Sequence, residues 1–394
     1  MIARAPYLFL LLIIIPDLYL DLHYWRHRSK GGGSVKRLLY WLPAIGMTVL
    51  TIYLMYEKNF IPEDPTIIYI YLFLLGFIIV PKWIYMICSI TGLGACRLLH
   101  SKKNFGNLIG LLLVPLLWFI LIYGSTIGFQ KLEINHQTYT SPDLPAAFDG
   151  YKIVLFSDAH VRSYSGRQQH ILQKAIDSIN AQHPDLIVYT GDLQNIQPQE
   201  IYEHMDILAQ LKAKDGIYSV LGNHDYAFYV DCDEARKVAN VREIVSLEKQ
   251  LGWTLLRNEH RTIKKGKEHI VIAGMENDGG GQKYLRLGRI DKALKEVKDG
   301  EFVLMLEHDP SAWRRKIIPD GRAQLTLSGH THKMQFTLFG WCPLSLKDRE
   351  YNGWYTEGSQ SLFVTAGLGG LIPFRFGATG EIVVIKMKKT YSKD

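Results

Sequence analysis

Cysteine is scarce in this 394-residue chain, with four in all. Cys88 and Cys96 lie in or beside an apolar stretch, Cys232 and Cys342 stand alone, and no CxxC pair occurs. That excludes a thiolate zinc site and a disulfide framework, leaving open only a single Cys232–Cys342 bridge. Net charge is also nearly absent from the C-terminal two-thirds. Of 45 basic and 38 acidic residues, residues 1–130 hold 11 and 5, which leaves 34 and 33 for the remainder. The C-terminal part therefore carries no basic footprint, and no nucleic-acid partner is expected. No internal repeat is visible.

Long apolar runs, by contrast, fill the N-terminal third. Ala5–Trp25, Leu38–Tyr56, Thr66–Ile90 and Leu108–Phe129 each approach or exceed the length that crosses a hydrocarbon core of ~30 Å. Pro43, Gly76, Pro81 and Pro115 fall inside them, as lipid-embedded helices tolerate. Trp25, Trp41, Tyr56 and Tyr123 cluster near the run ends, where aromatic belts form. The runs predict four transmembrane helices, so a lipid bilayer is the first expected partner. Arg26, Arg28, Lys30, Lys36 and Arg37 crowd the first connection and Arg97, Lys102 and Lys103 the third, while the second, "EKNFIPEDP", is acidic. By the positive-inside rule, the first and third connections are cytoplasmic and everything after the fourth run is not. A cleaved signal peptide fits less well: only Arg4 precedes the first run and no small-residue cleavage site follows. Asp17 and Asp21 are expected near the headgroups. The expected organisation is a membrane domain over 1–130, a linker over 131–149 and a second domain over 150–394, in a multi-pass membrane protein of bacterial type.

After "SPDLPAAFDG" the pattern changes to short β-type runs alternating with helical spacing. "YKIVLF", "DLIVYT", "GIYSVL", "HIVIAG", "EFVLML", "AQLTLS", "SLFVTA" and "EIVVIKMK" read as strands, while "RQQHILQKAIDSINAQHP" and "IYEHMDILAQLKA" read as helices. The fold class is α/β, with sheets covered by helices. Polar residues recur where these strands end, the place where open α/β sheets bind ligands. In order they are Asp158 and His160, Gly191-Asp192, Gly222-Asn223-His224-Asp225, His308, and Gly329-His330 with His332. Each alone fits an ordinary turn. Together they form a set of imidazoles, carboxylates and one amide, with no thiolate, that suits borderline-to-hard divalent ions.

On these residues the chain resembles the calcineurin-like metallophosphoesterase superfamily, whose pattern is DxH–GD–GNH(D/E)–H–GHxH. Every element is present in order between about residues 150 and 390. "LGWTLLRNEH" and "VTAGLGGLIPFRFGATGEIVVIKM" further resemble the compact bacterial membrane-associated phosphodiesterase branch. The resemblance implies a sandwich of two mixed sheets flanked by helices, here preceded by the four-helix transmembrane unit. It assigns Asp158, His160, Asp192 and His332 to one metal, and Asp192 as bridge with Asn223, His308 and His330 to a second. The implied cofactors are two divalent ions, Mn, Zn or Fe. His224 is not an implied ligand and lies beside one, so it is the candidate general acid; Asp225 is expected to hold its ring in the useful tautomer. Two departures stand out: Lys333-Met334-Gln335 follows His332 where the family often has Gly-Gly-Gln, and Ala159 stands where Leu is common. "FGWCPLSLKDREYNGWYTE" mixes aromatics with bases, a composition suited to the border of a cleft for an amphipathic phosphate ester and equally to a plain surface loop.

The expected function is therefore a membrane-anchored phosphoesterase, on diesters more than monoesters, whose substrate could be a lipid or envelope component. A non-catalytic scaffold should have lost ligands or His224, and none is lost. A transporter or sensor with this domain as its output should show inward-facing charges or repeats in the helices, and neither is evident.

Overall fold

Burial on both faces is what organises the strands of the C-terminal part. In β2 (Lys152–Phe156), Ile153 and Leu155 enter one apolar cluster while Val154 and Phe156 enter another, as the two-residue period of a strand requires. The same double burial holds for β3 (Leu186–Tyr189), β8 (Val303–Leu306) and β9 (Leu325–Ser328). Such strands need cover on each side, and the computed structural model supplies it. It describes residues 5–25, 33–57, 65–229, 232–280 and 285–390 and separates into two units, Met1–Ser125 and Thr126–Asp394.

Thr126–Asp394 is a sandwich of two six-stranded mixed sheets. The first runs β1 (Leu132–Ser141), β12 (Gly380–Lys389), β2, β3, β4 (Ile217–Ser219), β5 (Thr254–Leu255). The second runs β10 (Gly353–Glu357), β11 (Gln360–Val364), β9, β8, β7 (Glu268–Gly274), β6 (Glu259–Lys265). Ile153, Leu155, Val188, Ile272, Leu304, Leu327 and Val383 meet between the sheets. Helices Gln169–Asn180 and Glu234–Gln250 cover the outer face of the first sheet through Leu172, Ile176, Ile179, Ile244 and Leu247. Trp313, Ile317 and Leu294 cover that of the second. Strands β2, β3 and β4 are mutually parallel, and so are β7, β8 and β9, so in each set the C-terminal ends open on one side.

Two expectations are revised, and one open question is answered. Residues 132–141, expected within a linker, form edge strand β1, paired in parallel with β12 from Leu132↔Gly380 to Ser141↔Lys389. Backbone pairing needs no apolar side chains, so this polar stretch could join a sheet without an apolar signature. "IYEHMDILAQLKA" forms two single turns, Gln199–Tyr202 and Met205–Leu208, rather than one helix. All four cysteines are free, so no Cys232–Cys342 bridge forms.

Met1–Ser125 contains most of four helical stretches long and apolar enough to span a membrane: Tyr7–Trp25, Val35–Tyr56, Thr66–Leu98 and Phe105–Gly128. The last two pack backbone to backbone: a Cβ on Gly106 would lie 1.9 Å from the Cys88 carbonyl. Small residues commonly permit such approach between membrane helices. Asp17 and Asp21 are buried within the unit. Lys82 Nζ reaches both Asp17 oxygens at 2.7 and 2.8 Å, and Arg37 Nε both Asp21 oxygens at 2.8 and 2.9 Å. Arg26, Arg28, Lys30 and residues 58–64, on which the orientation argument partly draws, lie outside the described residues.

Candidate metal centre

The loops that follow β2, β3, β4, β8 and β9 converge. β2 delivers Asp158 and His160, β3 Asp192, β4 Asn223 and His224, β8 His308, and β9 His330 and His332. Asp158, His160, Asp192 and His332 offer ligand atoms all within 4.8 Å of one another, and Asp192, His308 and His330 form a second such group. Asp192 belongs to both. Its Oδ2 lies 3.2 Å from His308 Nε2 and 3.6 Å from His160 Nε2, while Oδ1 accepts from the His224 amide at 2.9 Å. Asn223 Oδ1 stands 3.1 Å from His308 Nε2, and Asn223 Nδ2 donates to the Tyr229 hydroxyl at 3.0 Å.

The donor set suits cations. His160 Nε2 and His332 Nε2 face each other at 3.2 Å, as do His308 Nε2 and His330 Nδ1. His308 Nδ1 donates to the Thr190 carbonyl at 2.6 Å, which turns Nε2 toward Asp192 and Asn223. That outer hydrogen bond is the one metal-binding histidines typically make. Burial pushes the His160 and His332 pKa values down to about 3, so both rings are neutral and present lone pairs. Burial works against the Asp192 charge too, yet facing His308 and His224 hold its pKa well below the usual carboxylate range. Burial likewise lowers His308, but Asp192 and Asp158 override it and raise its pKa to about 10. Lone pairs and carboxylate oxygens aimed at shared points are the chemistry a bound divalent ion satisfies.

Backbone strain marks the same residues. Asp158, His160, Asp192, His330 and His332 have φ of +53°, +45°, +62°, +74° and +50°. Side-chain-bearing residues seldom adopt this region and cluster there at functional sites. Two glycines make the crowding possible. A Cβ on Gly222 would meet Asp192 Oδ1 at 2.1 Å, and one on Gly329 would meet Asp158 Oδ2 at 2.2 Å.

His224 sits at the rim, half-buried, its ring 4.9 Å from that of His160 and 4.6 Å from that of Tyr229. Its Nδ1 donates to the Asn195 carbonyl at 2.6 Å. Asp225 does not orient that ring. Its buried carboxylate instead accepts from the amides of Asp192, Leu193, Gln194 and Gly222 at 2.8, 3.0, 3.3 and 2.9 Å, pinning the β3 and β4 loops together. Burial, then Asp192, raise its pKa to about 7. Asp309 caps its own turn through the Ser311 amide at 2.9 Å and approaches His330 Nε2 at 3.7 Å.

Three residues passed over in the sequence support the site. Asn195 supplies the carbonyl for His224. Glu200 holds that loop through the amides of Asn195, Ile196 and Gln197 at 2.6, 3.2 and 3.3 Å and pairs with Arg162 at 3.2 Å. Fully buried Arg375 donates to the carbonyls of Ala366, Gly367, Gly369 and Ala378. The segment it braces donates from Leu368 and Gly369 to the Ser157 and Asp158 carbonyls at 2.8 and 2.9 Å.

Comparison with known proteins gives the arrangement its family. Residues 151–334 match the calcineurin-like phosphoesterase family, and residues 2–129 match one described as a probable calcineurin-like phosphoesterase transmembrane domain. An uncharacterized metallophosphoesterase of Bacillus subtilis, YkuE, is 33% identical over 279 residues, covering 68% of this chain and 90% of its own. The chain belongs to the calcineurin-like metallophosphoesterase family. A transmembrane protein with a metallophosphoesterase domain from Danio rerio is 28% identical over 276 residues, covering 68% of this chain and 60% of that protein. An uncharacterized metallophosphoesterase of Campylobacter jejuni is 27% identical over 275 residues, covering 68% and 67%. Family and helices together make the chain a membrane-associated metallophosphoesterase, a phosphoric ester hydrolase with an Asp/His cluster able to hold metal ions.

Proposed function

We propose that this chain is a membrane-anchored phosphodiesterase with a two-metal centre. Asp158, His160, Asp192 and His332 hold one ion, and Asn223, His308 and His330 hold the other, with Asp192 shared. Mn²⁺, Zn²⁺ or Fe fits the nitrogen and oxygen donors. When bound, such a pair supplies positive charge for the phosphoryl oxygens and an acidified water near neutral pH. The observation that carries the reading is Asp192 Oδ2, which faces histidines of both groups at 3.2 and 3.6 Å.

The protein's own residues then do three things. Asp225 and the left-handed ligand loops hold the donors in place, so little reorganisation is left for the reaction itself. The Asn195 carbonyl accepts a hydrogen bond from Nδ1–H of His224 and leaves Nε2 to carry a proton to the departing oxygen. His160 and His332 stay neutral, so both offer lone pairs to a bound ion rather than imidazolium charge. The substrate class follows from anchoring: a phosphodiester of a lipid headgroup or envelope polymer on the non-cytoplasmic face of a bacterial inner membrane.

The test is hydrolysis of a chromogenic phosphodiester and its monoester by the purified full chain with Mn²⁺, Zn²⁺ or chelator, beside Asp192→Asn and His224→Ala. Metal-dependent diester turnover, lost in both variants, is the expected result. Equal turnover in chelator, or a preference for the monoester, would sink the reading.

A further inference from the structure

One apolar feature stands outside the core on the rim of the candidate centre. Leu338 and Trp341 pair as a two-residue hairpin, with amide-to-carbonyl bonds of 2.9 and 3.0 Å in both directions. Phe339 and Gly340 form its tip with φ of +49° and +82°. Such a turn is normally made by Asn-Gly or Gly-Gly, and a bulky aromatic there is strained. Among the described residues nothing covers that aromatic: Phe339 is fully exposed, and Leu346 and Trp341 beside it are 81% and 49% exposed. Lys347 and Arg349, both exposed, follow directly. A strained turn that presents Phe to water does nothing for the catalytic unit's own stability.

The hairpin is rooted beside the ligands. His332 leads into it, Gln335 Nε2 donates to the Ile372 and Phe374 carbonyls at 3.0 and 2.6 Å, and the Thr337 amide donates to Phe376 at 2.7 Å. The chain enters the catalytic unit at this same end. Leu132 pairs with Gly380, whose Cβ would meet the Leu368 carbonyl at 2.6 Å, and Leu368 and Gly369 bond to Ser157 and Asp158. Phe129 stacks on Tyr164, a few residues past His160, at 5.4 Å. Only Phe129, Gln130 and Lys131 separate the last candidate span, ending at Gly128, from β1. At ~3.6 Å per extended residue, β1 starts within ~15 Å of that span's end.

We propose that the 338–346 loop is a membrane-interface wedge. Phe339, Trp341 and Leu346 enter the boundary between headgroups and acyl chains, and Lys347 and Arg349 meet anionic headgroups, so that the candidate centre opens onto the bilayer surface. Aromatic side chains flanked by bases are the usual composition of such interfacial elements. The insertion stands on exposure, strain and tether position alone. Its use in presenting a lipid phosphodiester rests on the hydrolase reading.

The experiment uses the full chain in nanodiscs of phosphatidylcholine with phosphatidylglycerol. The difference in emission between wild type and Trp341→Phe isolates Trp341 from the other tryptophans. Quenching of that difference by lipids brominated near the headgroup, with little quenching by aqueous acrylamide, is expected. The reverse pattern overturns the wedge and leaves a loop facing water or a protein partner. In parallel, the Phe339→Asp/Trp341→Asp double variant, its fold checked by thermal melting, should lose at least ~10-fold of turnover on a disc-embedded diester and little on a water-soluble one. Equal losses on both would overturn the presentation role. If wild type hydrolyses neither ester, the hydrolase reading fails, yet the quenching still decides the wedge.

Discussion

His224 carries proton transfer in the proposed reaction through a single nitrogen, because Nδ1 is committed to the Asn195 carbonyl. His224→Asn should therefore lower kcat by roughly 10²–10⁴-fold while the metal content of the purified protein stays unchanged. The loss should shrink for a nitrophenyl leaving group and grow for an alkyl one, since only the latter needs a proton to depart. A loss independent of the leaving group, measured across such a series, would mean that His224 binds substrate instead. The histidine itself was legible in "GNHD". Its partner was not, because a backbone carbonyl has no side-chain signature. The neighbouring Asp225 looked like the natural orienting group from adjacency alone. Its four amide bonds show why adjacency misled: a carboxylate buried between two ligand loops is drawn to the unpaired N–H groups there, which would otherwise be left unsatisfied.

At the scale of elements, the parts that position the ligands are those the sequence showed least clearly. The five ligand loops could be read because polar residues interrupt apolar runs at strand ends. Edge strand β1 and the polar helix Glu234–Gln250 gave no such contrast. Arg375 lies in a glycine-rich stretch that reads as plain loop, yet its guanidinium braces the segment lying against Asp158. Arg375→Lys keeps the charge but not the planar fork, and leaves buried carbonyls unmatched at ~1–3 kcal/mol each. A lower melting temperature together with weaker metal binding by calorimetry is expected; lower stability with metal affinity intact would show that the loop does not reach the site. Glu248, on helix Glu234–Gln250, is fully buried. Burial raises its pKa to about 8, the nearby Asp225 charge adds to this, and the Ser219 hydroxyl donated to its Oε2 partly offsets it. The folded protein thus holds a proton that the unfolded chain releases near pH 4.5. Stability is greatest below that value, falls as pH rises through about 8, and is flat beyond. Glu248→Gln should flatten the decline in unfolding free energy between pH 5 and 9, by an amount on the order of a few kcal/mol, read from denaturant melts. A decline as steep in the variant would assign it to other groups.

For the whole molecule, the side of the membrane that the catalytic unit occupies decides which substrates it can meet. By the positive-inside rule, Arg97, Lys102 and Lys103 and Lys36 and Arg37 would put those connections in the cytoplasm, and the two spans between them, Val35–Tyr56 and Thr66–Leu98, return the chain to a common side. On that proposed orientation one further span, Phe105–Gly128, follows the third connection, and the unit that begins at Thr126 would face the other side of the bilayer. The buried pair Asp17–Lys82 adds nothing to the loop count, whereas Arg37 is paired with Asp21, so in this reading the first connection's excess rests on its other bases. Cysteines placed at Lys103 and Lys347 test it directly. In intact cells a membrane-impermeant maleimide should label Lys347→Cys and leave Lys103→Cys untouched until the membrane is opened, above the background of the four native thiols. The opposite pattern would move the site to the cytoplasmic face. There a nucleotide-linked lipid precursor becomes the natural ester, and the wedge would be reading the inner leaflet. Either result narrows the substrate search to one leaflet.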